Sequence, residues 1–220
     1  MNVKRKNFKK NDKIRMLLWC ERHCCLCGKQ RGIDIEIAHI ESNQDNSFDN
    51  GLPVCYDCHS KMGMYNELHP KGNKISPEEI KQQRELIYEK YTSQYIVPLQ
   101  YVISNTNRKY PDINFTISNL SNFRPIKVKM KLIGKLNNKN LNLNLTKGLY
   151  TGDREWNINP QRQISGHFEI QNSKINNLMD NDIFEIRIIH SQIDILGREH
   201  HFLEDGYIFN HKKNYWYFNP

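Results

Sequence analysis

Apolar residues recur along this chain in two rhythms. Ile14, Leu17 and Leu18 have the spacing of one helix face, which Trp19 extends, and Asn11 or Asp12 is placed to cap that helix, which runs to about His23. Ile33, Ile35 and Ile37 then alternate with Asp34, Glu36 and Ala38, the period of a strand that ends at His39. Residues 41–51, ESNQDNSFDNG, are polar and read as a loop. Leu52, Pro53 and Val54 form a second short apolar run, and a helix is expected to begin near Cys58. After a loop over 62–76, Ser76-Pro77-Glu78-Glu79 is a helix start, with Ser76 at the N-cap, Pro77 at the first turn and Glu79 completing a capping box. That helix is predicted to reach about Tyr91, with Ile80, Ile87 and Tyr91 on one face and Leu86 beside it.

Beyond a linker at 92–99 the period changes to two. Ile126, Val128, Met130 and Leu132 alternate with Lys127, Lys129 and Lys131; Leu141, Leu143 and Leu145 alternate with Asn142 and Asn144; Phe184, Ile186 and Ile188 alternate with Glu185 and Arg187. Further strands are expected near 99–104, 112–118, 163–171, 200–209 and 214–218. Seven or eight short strands with Gly and Asn turns predict an antiparallel sandwich, immunoglobulin-like in pattern but without a Cys…Trp…Cys signature. Trp156 reads as a packing residue, and the lysine row as a solvated sheet face or a phosphate contact.

Composition turns these elements into an α+β chain of two parts. With 220 residues and 38% hydrophobic content, each half has a small core. The predicted division is 1–93, stapled by metal, and 94–220, all β. A net charge of +8 points to a polyanionic partner, nucleic acid ahead of membrane. Seven Lys or Arg against one acid between Met1 and Arg15 make a basic arm, a phosphate contact or a solvated tail. No apolar run approaches the roughly 18 residues of a membrane span, and MNVKRKNFKKNDK has no secretion-signal core, so the expected compartment is the cytoplasm.

All six cysteines lie between Cys20 and Cys58, a clustering that favours metal over disulfides. Cys24 and Cys27, and again Cys55 and Cys58, bracket two residues, which is the layout of a closed structural zinc site; free core thiols are the competing reading. Cys20 and Cys25 fall outside that set. Between the pairs lie His39 and Asn50, and His59 follows Cys58. Phosphodiester hydrolysis needs a general base and a divalent cation on the scissile phosphate. His39 at a strand end is suited to the base, Asn50 to bracing the loop, and His59 to holding the catalytic ion, Mg²⁺ or Mn²⁺ with Ni²⁺ possible.

At Cys24, Cys27, His39-Ile40, Asp49-Asn50-Gly51-Leu52 and Cys55-Tyr56-Asp57-Cys58-His59 the sequence resembles the HNH endonuclease family. The resemblance covers roughly residues 14–62. It implies a ββα-metal fold that cuts nucleic acid with one divalent ion: His39 as general base, Asn50 as loop organiser and His59 as metal ligand. The implied substrate is DNA, double-stranded ahead of single-stranded, and the implied setting is bacterial restriction or anti-phage defence. The C-terminal part would recognise substrate, partner or signal. Many relatives carry Asp just before the base, where it binds the catalytic ion; here that residue is Ala38. Glu36, Asp45 and Asp49 are the candidate replacements. The rival reading is a zinc-ribbon nucleic-acid binder that does not cleave.

Overall fold

The computed structural model describes residues 7–41, 45–62, 75–105, 111–141, 143, 145–146, 155–170, 172–175, 177–202 and 205–219. Lys4, Arg5 and Lys6 of the basic arm, most of the 62–76 loop including His69, and Asn142 and Asn144 lie outside them. The chain divides into two compact units, Met1–Tyr95 with Leu196–Arg198, and Ile96–Ile195 with Glu199–Pro220. Among the described residues the architecture mixes helix with antiparallel sheet.

The first unit opens with α1 (Lys10–Trp19), which starts after Lys9 rather than at Asn11 or Asp12. Its buried face also differs from expectation. Ile14 and Leu18 are 46% and 47% exposed, while Met16, Trp19 and Cys20 are buried. Those three have the spacing i, i+3, i+4 of a helix face. Met16 decides the rotation, because it packs on Gly51, where a Cβ would collide with it. The helix stops at Trp19 instead of His23, since Glu21 and Arg22 take positive φ of 44° and 55°.

Next come β1 (Ile35–His39) and β2 (Gly51–Cys55), paired antiparallel with His39 opposite Gly51 and Ile35 opposite Cys55. Ile33, expected in β1, precedes it and is exposed. A 3₁₀ turn at Phe48–Asn50 leads into β2, and α2 (Tyr56–Lys61) follows at once. The last helix, α3 (Pro77–Thr92), begins as its capping signal predicts, the Glu79 amide donating to Ser76 Oγ at 3.1 Å. Leu86 is exposed on it, whereas Arg84 is buried alongside Ile80, Ile87 and Tyr88. Trp19, Ala38, Leu52, Val54, Ile80 and Tyr88 are among the residues of this unit's core.

The second unit consists of β3 (Leu99–Ser104), β4 (Asp112–Asn119), β5 (Ile126–Leu136), β6 (Lys139–Leu141), β7 (Leu145–Thr146), β8 (Glu155–Ile158), β9 (Gln163–Ile170), β10 (Phe184–Ile193), β11 (Glu199–His201), β12 (Asp205–Asn210) and β13 (Tyr215–Phe218). One sheet has the order β13-β12-β10-β5-β6, with β11 on β10 and β8 on β5; the other has the order β3-β4-β9-β7. Their shared core includes Ile113, Phe115, Val128, Trp156, Ile186 and Trp216. Each such fully buried large side chain contributes roughly 1.5–3 kcal/mol. The alternation of Phe184, Ile186 and Ile188 faces that core as predicted. The run 141–145 is not one strand but the end of β6 and the start of β7, and the run expected at 200–209 is split into β11 and β12. Trp156 is indeed a packing residue, and it sits on β8, a strand with too short an apolar pattern to read from sequence.

Candidate functional site

The cysteine cluster is assembled by two tight turns and one strand end. In the first knuckle the Gly28 amide donates to the Cys24 carbonyl at 2.8 Å and the Cys24 amide to the Lys29 carbonyl at 2.9 Å. Gly28 takes φ +69°, a left-handed conformation that a glycine adopts without strain. The Cys25 amide donates to the Pro53 carbonyl at 2.9 Å and so ties the knuckle to β2, whose end carries Cys55 into α2 and Cys58. The sulfurs of Cys24, Cys27, Cys55 and Cys58 all lie within 4.8 Å of one another. Four thiolates around one tetrahedral zinc sit about 3.8 Å apart, from a Zn–S bond near 2.3 Å. The donor set therefore fits structural zinc. Partial desolvation opposes ionisation of Cys27, but the Lys29 amide and the neighbouring thiols outweigh it and draw this thiol down to about 7. Cys20 and Cys25 are buried outside the group, and burial pushes the Cys25 thiol far up.

On the same strand pair, His39 closes β1. Its Nε2 lies 3.1 Å from Asn46 Oδ1, its ring stacks on Phe8 at 4.4 Å between centroids, and among the described residues its buried Nδ1 has no hydrogen-bond partner. With the Nε2 proton given to Asn46, Nδ1 carries the lone pair.

Asn50 is buried and holds both ends of the intervening loop. Its side-chain amide donates to the Asp45 carbonyl at 2.8 Å, and its Oδ1 accepts from the Glu41 amide at 2.9 Å. Its carbonyl accepts from the Ile40 amide at 2.9 Å.

His59, on α2, meets Glu36 of β1: the His59 Nδ1 and Glu36 Oε1 are in hydrogen-bond contact. Of the three acids considered for the gap at Ala38, only Glu36 reaches His59 in this way. Asp45 accepts from the amide and hydroxyl of Ser47 at 2.8 and 3.0 Å, and Asp49 is engaged by α3. Ala38 itself is fully buried in the core. A cleft of about 350 Å³ is lined by Lys13, Leu17, Glu36 and His39, among others.

Two residues of α3 were missed in the sequence. Arg84 Nη1 donates to the carbonyls of Asp49 and Gly51 at 2.6 and 3.0 Å, and its Nη2 to Asp49 Oδ1 at 3.0 Å. Lys81 bridges Glu41 and Asp49 at 2.8 and 3.1 Å. The Arg84 guanidinium, followed by Lys81, holds the Asp49 carboxyl below the usual carboxylate range. The available signal was position: Arg84 shares the helix face of Ile80, Ile87 and Tyr88, where a cation requires a buried partner.

In the second unit, Lys129 of the lysine row pairs with Glu199 at 2.8 Å and lies 3.8 Å from Glu155; Lys127 lies 3.5 Å from Glu155. His200 is buried, with its Nε2 2.9 Å from Asp194 Oδ2.

No family model matches the chain, and no curated protein matches it. Among solved structures, Northeast Structural Genomics Consortium target SoR45 is similar over 50% of this chain and 82% of its own, at 12% identity and a TM-score of 0.23.

Proposed function

We propose that this chain is a divalent-metal-dependent endonuclease of the HNH kind that hydrolyses phosphodiester bonds in DNA. The observation that carries the reading is His39 itself. It ends a strand anchored by the four-cysteine cluster, faces a loop braced by Asn50, and among the described residues leaves Nδ1 without a hydrogen-bond partner while Nε2 is held by Asn46. The strand pair β1–β2 followed directly by α2 is compatible with a ββα-metal arrangement.

In this reading His39 Nδ1 accepts the proton of the attacking water. Asn46 fixes the tautomer, and Phe8 fixes the ring plane. Asn50 keeps the loop from displacing the base. Lys13 lines the same cleft and offers a cation to the phosphate. His59, in contact with Glu36, would supply an imidazole nitrogen of the kind that suits Mn²⁺ or Ni²⁺, and less well Mg²⁺. Such an ion, when bound, supplies charge stabilisation on the phosphate and the leaving oxygen.

The second unit acts as an immunoglobulin-like accessory domain for substrate, partner or signal, a reading supported by two antiparallel sheets on one core. A restriction or anti-phage role belongs to the same proposal and rests on the sequence resemblance alone.

One observation favours a second reading, a zinc-ribbon nucleic-acid binder without cleavage: Ala38 is buried where an acid is expected. The test is cleavage of single- and double-stranded DNA by purified zinc-loaded protein with Mg²⁺, Mn²⁺, Ni²⁺ and Co²⁺. Cutting that His39→Ala abolishes, with zinc content unchanged, is the expected result. Cutting that survives His39→Ala overturns the assignment, and binding without cutting in every metal favours the second reading.

A further inference from the structure

We infer that Glu36 is a positioning residue for a divalent cation. By holding the proton on His59 Nδ1, it leaves the Nε2 lone pair of that ring facing out as the ligand. The inference rests on the proposed nuclease site and assigns the work of the missing acid at Ala38 to a residue acting through His59.

Three observations support it. The first is register. Glu36 and Ala38 project from the same face of β1 and pair across with Val54 and Leu52 of β2, the strand that runs into α2 and His59. Position 38 on that face is fully buried in the apolar core, so a carboxylate there would be desolvated without a partner. Glu36 is the next residue on that face. Its side chain is 29% exposed, so its charge stays hydrated.

The second is the contact. A carboxylate only accepts hydrogen bonds, so its contact with His59 Nδ1 selects the Nδ1–H form of the ring. Nε2 is then unprotonated and a competent ligand.

The third is what remains open. Among the described residues, neither Glu36 Oε2 nor His59 Nε2 takes a hydrogen bond, and the His59 side chain is 35% exposed. A carboxylate–imidazole pair with a free outer nitrogen is the arrangement that orients ligating histidines and raises their basicity. The pair is also independent of the zinc cluster's own donors, since neither residue belongs to the four-cysteine group. A purely structural ion pair would satisfy the first two observations, so the test must separate ring positioning from packing.

The test uses the full chain loaded with one zinc. Mn²⁺ affinity is measured by electron paramagnetic resonance and calorimetry, and the His59 tautomer by long-range ¹H–¹⁵N correlation in metal-free buffer. Glu36→Ala is expected to weaken Mn²⁺ binding about 10- to 100-fold and to move the His59 proton from Nδ1 toward Nε2. Zinc content and the amide spectrum stay unchanged. Glu36→Asp, with its carboxylate retained, is expected to recover part of both. In the background of His59→Ala, removal of Glu36 is expected to cost nothing further. A Glu36→Ala protein with wild-type Mn²⁺ affinity or an unchanged tautomer overturns the inference while leaving the nuclease reading standing. A further loss in the His59→Ala background makes Glu36 a direct ligand and overturns it as well. If the wild-type protein binds no Mn²⁺, the underlying site reading fails, and this inference with it.

Discussion

Arg84 and Asp49 lie 35 residues apart in sequence and are joined twice: the guanidinium donates to the Asp49 carbonyl at 2.6 Å and to its carboxylate at 3.0 Å. Asp49 directly precedes Asn50, so this clamp from α3 sets the backbone from which Asn50 braces the loop beside His39. The helix thus acts on the candidate site through the loop and not through His39.

Arg84→Met keeps most of the stem's packing and removes the donors. The carbonyls of Asp49 and Gly51 lose a buried donor, while the exposed Asp49 carboxylate keeps Lys81. The expected cost is about 1–3 kcal/mol of first-unit stability, that of leaving buried acceptors without a donor, read from urea unfolding of zinc-loaded protein. A second expected outcome is a drop in cleavage, because the Asn50 loop loses its support. Unchanged stability would mean that water replaces the guanidinium without loss.

The same pair gives a pH dependence of known sign. Arg84, with Lys81, lowers the Asp49 pKa below its unfolded value of about 3.9. Stability from this group is therefore fully present above that value and is lost as pH falls through the lower folded value. The stability gap between wild type and Asp49→Asn should be flat above about pH 5 and shrink below about pH 4. Zinc thiolates also take up protons in acid, but that contribution is common to both proteins and cancels in the difference.

Local chemistry was legible in the sequence, and rotation and long reach were not. The cysteine spacing pointed to the four-cysteine cluster because two CxxC turns have few ways to bring four sulfurs together. Ser76 gave the start of α3 because a cap is decided within four residues. The face of α1 was misread because Ile14, Leu17 and Leu18 fit a helical stripe as well as Met16, Trp19 and Cys20 do; only the bare backbone of Gly51 selects Met16. Strand β8 escaped because four residues with Trp156 and Ile158 inward carry too little period. Arg84 escaped because its partners come from a loop distant in sequence. Glu36 was visible as a candidate acid, while its contact with His59 required the register of β1 and the placement of α2.

Removing zinc should separate the two units. Cys24 and Cys27 precede β1, whereas Cys55 and Cys58 join β2 to α2, so an ion held by the four would close the first unit's small core. The second unit has its own core of Ile, Phe and Trp residues. Chelation at neutral pH is expected to remove on the order of 10 kcal/mol of binding free energy and unfold the first unit. Trp19 reports on that unit, and Trp156 and Trp216 on the other. Loss of Trp19 amide and indole signals, with those of Trp156 and Trp216 retained, is the expected NMR result. Simultaneous loss of all three would show that the second unit depends on the first. The same experiment on Cys55→Ser should begin from the chelated state, since three thiolates no longer close the site.

The lysine row of β5 and Lys13 of α1 make opposite predictions for DNA binding. Lys129 sits against Glu199 and near Glu155, and Lys127 also faces Glu155, so two cations and two carboxylates compensate one another. A cation already neutralised by protein carboxylates releases few counterions on meeting phosphate. Lys127→Gln and Lys129→Gln are therefore expected to change DNA affinity by less than about twofold and to leave the slope of log K against log salt unchanged. Lys13 lines the cleft with His39 and makes no ion pair among the described residues. Lys13→Gln should weaken binding and reduce that slope by about 0.9, the value of one phosphate contact. Fluorescence anisotropy at a series of salt concentrations, with His39→Ala as background to prevent cutting, measures both. A slope that falls for the β5 lysines and not for Lys13 would place the nucleic acid on the second unit instead of the cleft.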